Sequence, residues 1–139
     1  MVTKKNKISP DEYRRILETL DLSRIWLENG SFNVNRENLS EKLAIGFKEK
    51  YTYVNTDAGA RITAVVSLNA GEKSRGIAIK IMGQFVLDFN TPDTLTDDFF
   101  EIYQDISLPF IVWPFFREYV YSITSRMEIP PLTLPQIHQ

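Results

Sequence analysis

Between Phe110 and Met127 the chain carries more apolar surface than one face of a helix can hold. Phe116, Tyr119, Val120, Ile123 and Met127 recur at helical spacing and make one stripe. Earlier in the segment Phe110, Ile111, Val112, Trp113, Phe115 and Phe116 surround the axis, and a helix apolar on all sides is normally buried from two directions. Pro114 removes a backbone donor, so it either starts the regular helix or kinks one that began near Pro109. Beyond Glu128, Pro130, Pro131 and Pro135 force an extended strap. In a chain of this size with one sheet, such a helix finds only one face to cover. A monomer core is the plain alternative; the expectation is an oligomer interface carried by Trp113, Phe116, Tyr119, Val120 and Ile123.

The sheet itself is written in alternating residues. Leu43, Ile45, Phe47, Tyr51 and Tyr53 interleave with Lys42, Gly46, Lys48, Lys50 and Thr52 until Asn55–Gly59 supply turn chemistry. Ile62, Ala64, Val66 and Leu68 make the buried set of a second strand, closed by Asn69–Gly71. Ile77, Ile79, Ile81, Phe85, Leu87 and Phe89 make a third, with Gly83 where a bulge or bend is expected. An earlier strand spans Asp21–Glu28, and Asn29 with Gly30 then reads as a turn before a polar connection from Asn33 to Ser40. Strands joined by short turns pair with their neighbours, which predicts a four-stranded antiparallel meander.

Helices flank this sheet. Ser9 as cap, Pro10 at the first position and Asp11 and Glu12 at the positive end of the dipole predict a helix from Pro10 to about Leu20. Thr96 caps a second short helix with Phe99, Phe100, Ile102 and Tyr103 inward and Asp97, Asp98, Glu101 and Asp105 on its solvated side. The fold class is therefore α+β, with the long aromatic helix and the short helices on one face. With 139 residues, 43% of them hydrophobic, one domain is expected over 9–139, preceded by a disordered basic N-terminus at 1–8.

Enzyme chemistry finds little support. The one histidine, His138, sits next to the end of the sequence, and there is no cysteine for a thiol nucleophile, a thiolate metal site or a disulfide. The glycines are scattered, with no phosphate-cradling cluster. Arg117 and Glu118 are adjacent on a helix and point in different directions, so they suit ion pairs better than catalysis. No catalytic residue, metal or cofactor is assigned. A net charge of −2 offers no basic field for nucleic acid. Without an apolar run of membrane length or an h-region behind the first lysines, no membrane insertion and a cytoplasmic location are expected.

The segment 111–135 resembles the signature of the SecB family of protein-export chaperones. The matching positions are Pro114, Phe115, Arg117, Glu118, Ser122, Ser125, Arg126, Pro130, Leu132, Leu134 and Pro135, with one residue missing before Pro135. Over residues 21–137 the order of elements is also similar. The resemblance implies an ATP-independent holdase that binds unfolded preproteins or other non-native clients in hydrophobic grooves, built as a homotetramer, a dimer of dimers. By position it places client binding at Leu43, Ile45 and Phe47 on a strand and Leu132 and Leu134 on the strap, each with buried core as the plain alternative.

Three departures qualify what the resemblance implies. The acids that dock the SecA translocase in SecB correspond to Glu28, Arg24 and Ala78, so only Glu28 keeps the charge. The sequence ends at Gln139, before the second lid helix and tail of SecB, so a more open groove is expected. The helix at Pro10–Leu20 is additional. Delivery to SecA thus stands beside two alternatives: a dedicated SecB-like chaperone of an antitoxin in a toxin–antitoxin system, and a non-chaperone oligomeric scaffold.

Overall fold

The computed structural model describes residues 8–129, so the basic N-terminus and the strap with Leu132 and Leu134 fall outside the described residues. Helix α1 spans Pro10–Thr19, strand β1 Asp21–Val34, a single 3₁₀ turn Arg36–Asn38, then β2 Ala44–Asn55, β3 Gly59–Glu72, β4 Gly76–Asn90, α2 Asp97–Ile106 and α3 Leu108–Arg126. Both short helices start where their caps predict. The Ser9 hydroxyl accepts from the Glu12 amide at 3.1 Å, and the Thr96 hydroxyl from the Phe99 amide at 3.3 Å.

All four strands are antiparallel, in the order β1-β4-β3-β2. The expected meander holds for β2, β3 and β4 only. β1 crosses to the far edge and pairs with β4, because the connection at residues 35–43 is long enough to span the sheet end. That connection is pinned as it crosses: the Asn35 amide donates to the Ala78 carbonyl at 2.7 Å, and the Asn38 side-chain amide to the Ile77 carbonyl at 3.0 Å. The Arg36 guanidinium reaches the Met127 carbonyl at the end of α3.

β1 also runs past the predicted turn at Asn29 and Gly30 to Val34. Gly30 lies opposite Gly83 of β4, and the Tyr119 ring of α3 rests over this glycine pair. A Cβ on Gly30 would stand 2.2 Å from the Tyr119 hydroxyl. Close approach, not turn geometry, explains this glycine. Gly83 is likewise no bulge: it stays in register with Gly30 and Val66, and a Cβ there would press the Phe85 ring at 3.0 Å. The irregularities fall instead in β1, between Leu22 and Arg24 and between Leu27 and Asn29, with a further register shift between Ala70 and Gly71 of β3.

One sheet face is covered. Ile62, Ala64, Val66 and Leu68 of β3 and Ile79, Ile81, Phe85, Leu87 and Phe89 of β4 join Leu108, Val112, Trp113, Phe116 and Val120 of α3 in a single core. α3 starts at Leu108 and continues through Pro114. The buried Thr124 hydroxyl bonds back to the Val120 carbonyl at 2.8 Å, so no polar group is left bare there. α2 contributes Phe99, Phe100 and Tyr103, and the Tyr13 ring of α1 sits 4.9 Å from that of Phe99. α1 is further tied down by Arg15, which meets Asp93 at 2.9 Å, while the Thr19 hydroxyl donates to the same carboxylate at 3.2 Å.

Two predictions follow the packing. Gly59→Ala should destabilise more than Gly30→Ala, because the new Cβ at Gly59 meets the Phe89 carbonyl oxygen at 2.2 Å whereas the Tyr119 hydroxyl can swing aside. Denaturant unfolding should give about 3 kcal/mol against about 1 kcal/mol, and adding Tyr119→Phe should recover most of the smaller loss. The Arg15 bond holds the Asp93 carboxyl below its ordinary range. A depressed folded pKa stabilises above the unfolded value of about 3.9 and is lost as pH falls through the folded one. Thermal melting should therefore weaken below about pH 4, and Asp93→Asn should blunt part of that acid dependence.

Candidate functional site

β2 is an edge strand and almost none of it is covered. Its even residues face the open side of the sheet, and its odd residues, paired with buried Ala70, Leu68 and Ala64, face the helices without being reached by them fully. Ile45 remains 39% and Phe47 40% exposed. Leu43, just before the strand, is half-buried against the core.

These residues border a cleft of about 580 Å³ lined by Leu39, Ser40, Glu41, Leu43, Ile45, Ile79 and Ile129. Its walls come from three parts of the chain held together by the pinned crossing connection. Arg36 clamps that connection to the end of α3, and Glu128, at φ 55, takes the left-handed turn that ends the helix and brings Ile129 to the cleft. Further along β2, Phe47 meets the Trp113 ring edge-on at 5.0 Å. Beyond it lies a polar depression of about 390 Å³ lined by Glu49, Lys50, Tyr51, Gln104, Asp105 and Pro109. The result is a shallow path along one strand, apolar at its start and polar at its far end.

Nothing on this path is set up for proton transfer. Burial pushes the Tyr51 phenol up, helped by the Glu49 carboxylate that accepts its hydrogen bond at 3.0 Å. Tyr53 is pushed up to about 12, first by burial and then by its 2.7 Å bond to Asp97. Both therefore act as fixed donors at neutral pH. Among the described residues no cluster of His, Asp and Glu has the geometry of a metal site, and no helix is long and apolar enough to cross a membrane.

The predicted site residues separate clearly in space. Leu43, Ile45 and Phe47 come together on the path, whereas Leu132 and Leu134 lie outside the described residues. Leu39, Ile79 and Ile129 complete the cleft but were not singled out by sequence: Leu39 stands in a polar stretch and Ile79 reads as ordinary core. The stripe assigned to an oligomer interface turns inward. Phe116 and Val120 are wholly buried and Trp113 nearly so, covering the chain's own sheet, while Tyr119 and Ile123 are half-buried beside them. The apolar surface that α3 leaves outside belongs to Phe115 and Tyr121, with Ile106 of α2 nearby in sequence.

On the opposite sheet face Glu28 stands at the second irregularity of β1 and accepts from the Trp26 indole at 2.8 Å. Arg24 and Arg61 lie over the Trp26 ring at 4.9 and 5.3 Å, and Arg61 is paired with Asp88 at 2.7 Å. Ala78 is buried. The position matched to a docking acid thus belongs to an aromatic cluster rich in arginine.

Stability should separate path from core. Ile45→Asp should cost about 1–2 kcal/mol, because much of the Ile45 side chain is covered, while Phe116→Ala should cost about 3–5 kcal/mol. Urea unfolding of both variants measures the difference.

No family model matches the chain, and none of the curated proteins does. Among solved structures it is similar to the Mycobacterium tuberculosis SecB-like chaperone Rv1957 in complex with a ChAD peptide from the Rv1956 HigA1 antitoxin. That likeness has 18% identity and a TM-score of 0.76, covering 91% of this chain and 96% of that one. A protein of unknown function from Streptococcus agalactiae is also similar, at 17% identity and a TM-score of 0.52, covering 84% of this chain and 96% of that one. The fold is SecB-like.

Proposed function

We propose that the chain is an ATP-independent holdase chaperone that binds non-native polypeptide along β2, with Leu43, Ile45 and Phe47 as client contacts. The observation that carries this reading is an apolar row left uncovered on an edge strand and opening into an apolar cleft. Such surface is costly to leave in water unless something uses it. Leu132 and Leu134, which follow Pro130 and Pro131 in the sequence, are proposed to add to the same groove. Gain comes from apolar contact at about 25 cal/mol per Å², offset by ordering of the client.

Between general export and a dedicated client, three observations support the second. Arg24 and Ala78 replace two of the expected SecA-docking acids, and Glu28 is engaged by Trp26, which disfavours delivery to SecA. The similar chaperone is bound to an antitoxin peptide. A cleft of about 580 Å³ takes a few side chains, which suits one chosen segment. Assembly as a homotetramer is proposed to use the outer surface of α3 at Phe115 and Tyr121, since its inner stripe is occupied within the chain.

The test is light-scattering mass of the purified protein with a slowly refolding client diluted from denaturant. A stable complex is expected, and Ile45→Asp should abolish it without changing the mass of the free protein and with only a small loss of melting temperature. Leu132→Asp with Leu134→Asp should do the same. An oligomer that retains neither unrelated denatured chains nor any antitoxin encoded beside it would be a scaffold, and the holdase reading would fall.

A further inference from the structure

The sheet face turned away from the helices carries its charge unevenly. Pairing across the strands sets its side chains in rows. One row runs Asn33, Lys80, Asn69 and Gly46, from β1 through β4 and β3 to β2. The next runs Ser31, Met82, Ser67 and Lys48, and the third Asn29, Gln84, Val65 and Lys50. Three lysines and no carboxylate stand in these rows. Glu28, in the irregularity beside the third row, accepts from the Trp26 indole, and Asp88 is paired with Arg61 further along. In a chain of net charge −2, this part of the face reverses the sign locally.

Lysines commonly protect an edge strand, which accounts for Lys48 and Lys50 taken alone. It does not account for Lys80, because β4 lies between β1 and β3. Lys80 borders a depression of about 390 Å³ whose lining includes Ser31, Asn33, Ser67, Asn69 and Met82. Asn33 and Asn69 stand directly opposite it on the two neighbouring strands. Among the described residues, none of these amides and hydroxyls bonds to another side chain or to backbone, and none of the three lysines is in an ion pair. The depression thus offers a cation flanked on both sides by amide donors, a set of groups that suits a carboxylate.

We propose that this part of the open sheet face docks an acidic segment of a partner protein, with one carboxylate in the depression at Lys80 and others at Lys48 and Lys50. Lys48 and Lys50 are two residues apart on one strand, about 7 Å, which matches alternate side chains of an extended segment. Lys80 lies two strands away, about 10 Å across the sheet. A nucleic acid is the poorer fit: its bases need aromatic platforms, and Trp26, the aromatic side chain of this face, is already covered by Arg24 and Arg61. The sign is also the reverse of the SecA-docking acids that the family resemblance implies, so the partner chemistry differs. Ile45 and Phe47 face the other side of the sheet, so the site is independent of the holdase reading and can be filled while the cleft is occupied.

The probe is a fluorescein-labelled peptide of about eight alternating glutamate and serine residues, which places its carboxylates on one side when extended. Binding to the full chain is followed by anisotropy, and retention of a denatured client is measured on the same preparations. Saturable binding is expected, weakening as salt rises from about 50 to about 300 mM, and a glutamine–serine peptide should bind at least about tenfold more weakly. Lys80→Gln should weaken the glutamate peptide about fivefold, and Lys48→Gln with Lys50→Gln about tenfold. Asn33→Ala with Asn69→Ala leaves the charge alone and should cost about threefold. Arg14→Gln, an exposed cation on α1, should change binding less than about twofold. Melting and client retention should stay as they are in all of these variants.

Equal losses from Lys80→Gln and Arg14→Gln would reveal a diffuse field and overturn the site. Tighter binding of an oligothymidylate than of the glutamate peptide would assign the face to nucleic acid and overturn the proposal. Loss of client retention in the lysine variants would merge this surface with the groove and overturn it as a separate site. Peptide binding with the expected losses, in a chain that never retains the denatured client, keeps this site and removes the holdase reading instead.

Discussion

A four-stranded sheet has two faces and two edges, and the helices of this chain suffice for one face. α3 lies across it with Val112, Phe116 and Val120 buried, and α2 and α1 extend the cover toward Phe99 and Tyr13. Because the cover centres on β3 and β4, the edge strands are left half-dressed. Their inward side chains point at the helix layer but are only partly reached by it, as Phe47 and Ile45 on one edge and Leu27 and Phe32 on the other show. The groove is thus a consequence of how far the helices reach. No element is dedicated to building it.

Local chemistry made much of this legible. The caps at Ser9 and Thr96, the alternation in β3 and β4 and the inward face of α2 were readable because each rests on neighbours a few residues away. What failed was non-local. Gly30 looked like a turn because asparagine–glycine usually is one, yet its role comes from a tyrosine far along the chain. The placement of β1 beside β4 likewise depends on a crossing connection whose bonds to Ala78, Ile77 and Met127 no local pattern announces.

The aromatic helix shows a related limit. Counting apolar residues correctly said that α3 has more to bury than one surface, but the count did not say which residues go where. The stripe at helical spacing took the chain's own sheet, and the excess, Phe115 and Tyr121, was left outside. Similarly, alternation in β2 is the same whether a strand is central or at an edge, so Ile45 and Phe47 could not be separated from core until the strand order was known.

The proposed client row and the cleft beside it make different demands. Ile45 and Phe47 lie open along β2, so contact there depends on apolar area and little on shape. The cleft is the opposite: bounded by Ile79 and Ile129 and bordered by Glu41, it has room for only a few apolar side chains. Under the holdase reading, a client with many weak apolar segments would use the exposed row and gain little from the cleft. A client with one segment whose side chains fit the cleft would gain from both at once. On that reading the balance between broad and dedicated binding rests on the few residues around Leu39, Ile79 and Ile129, with the fold left as it is.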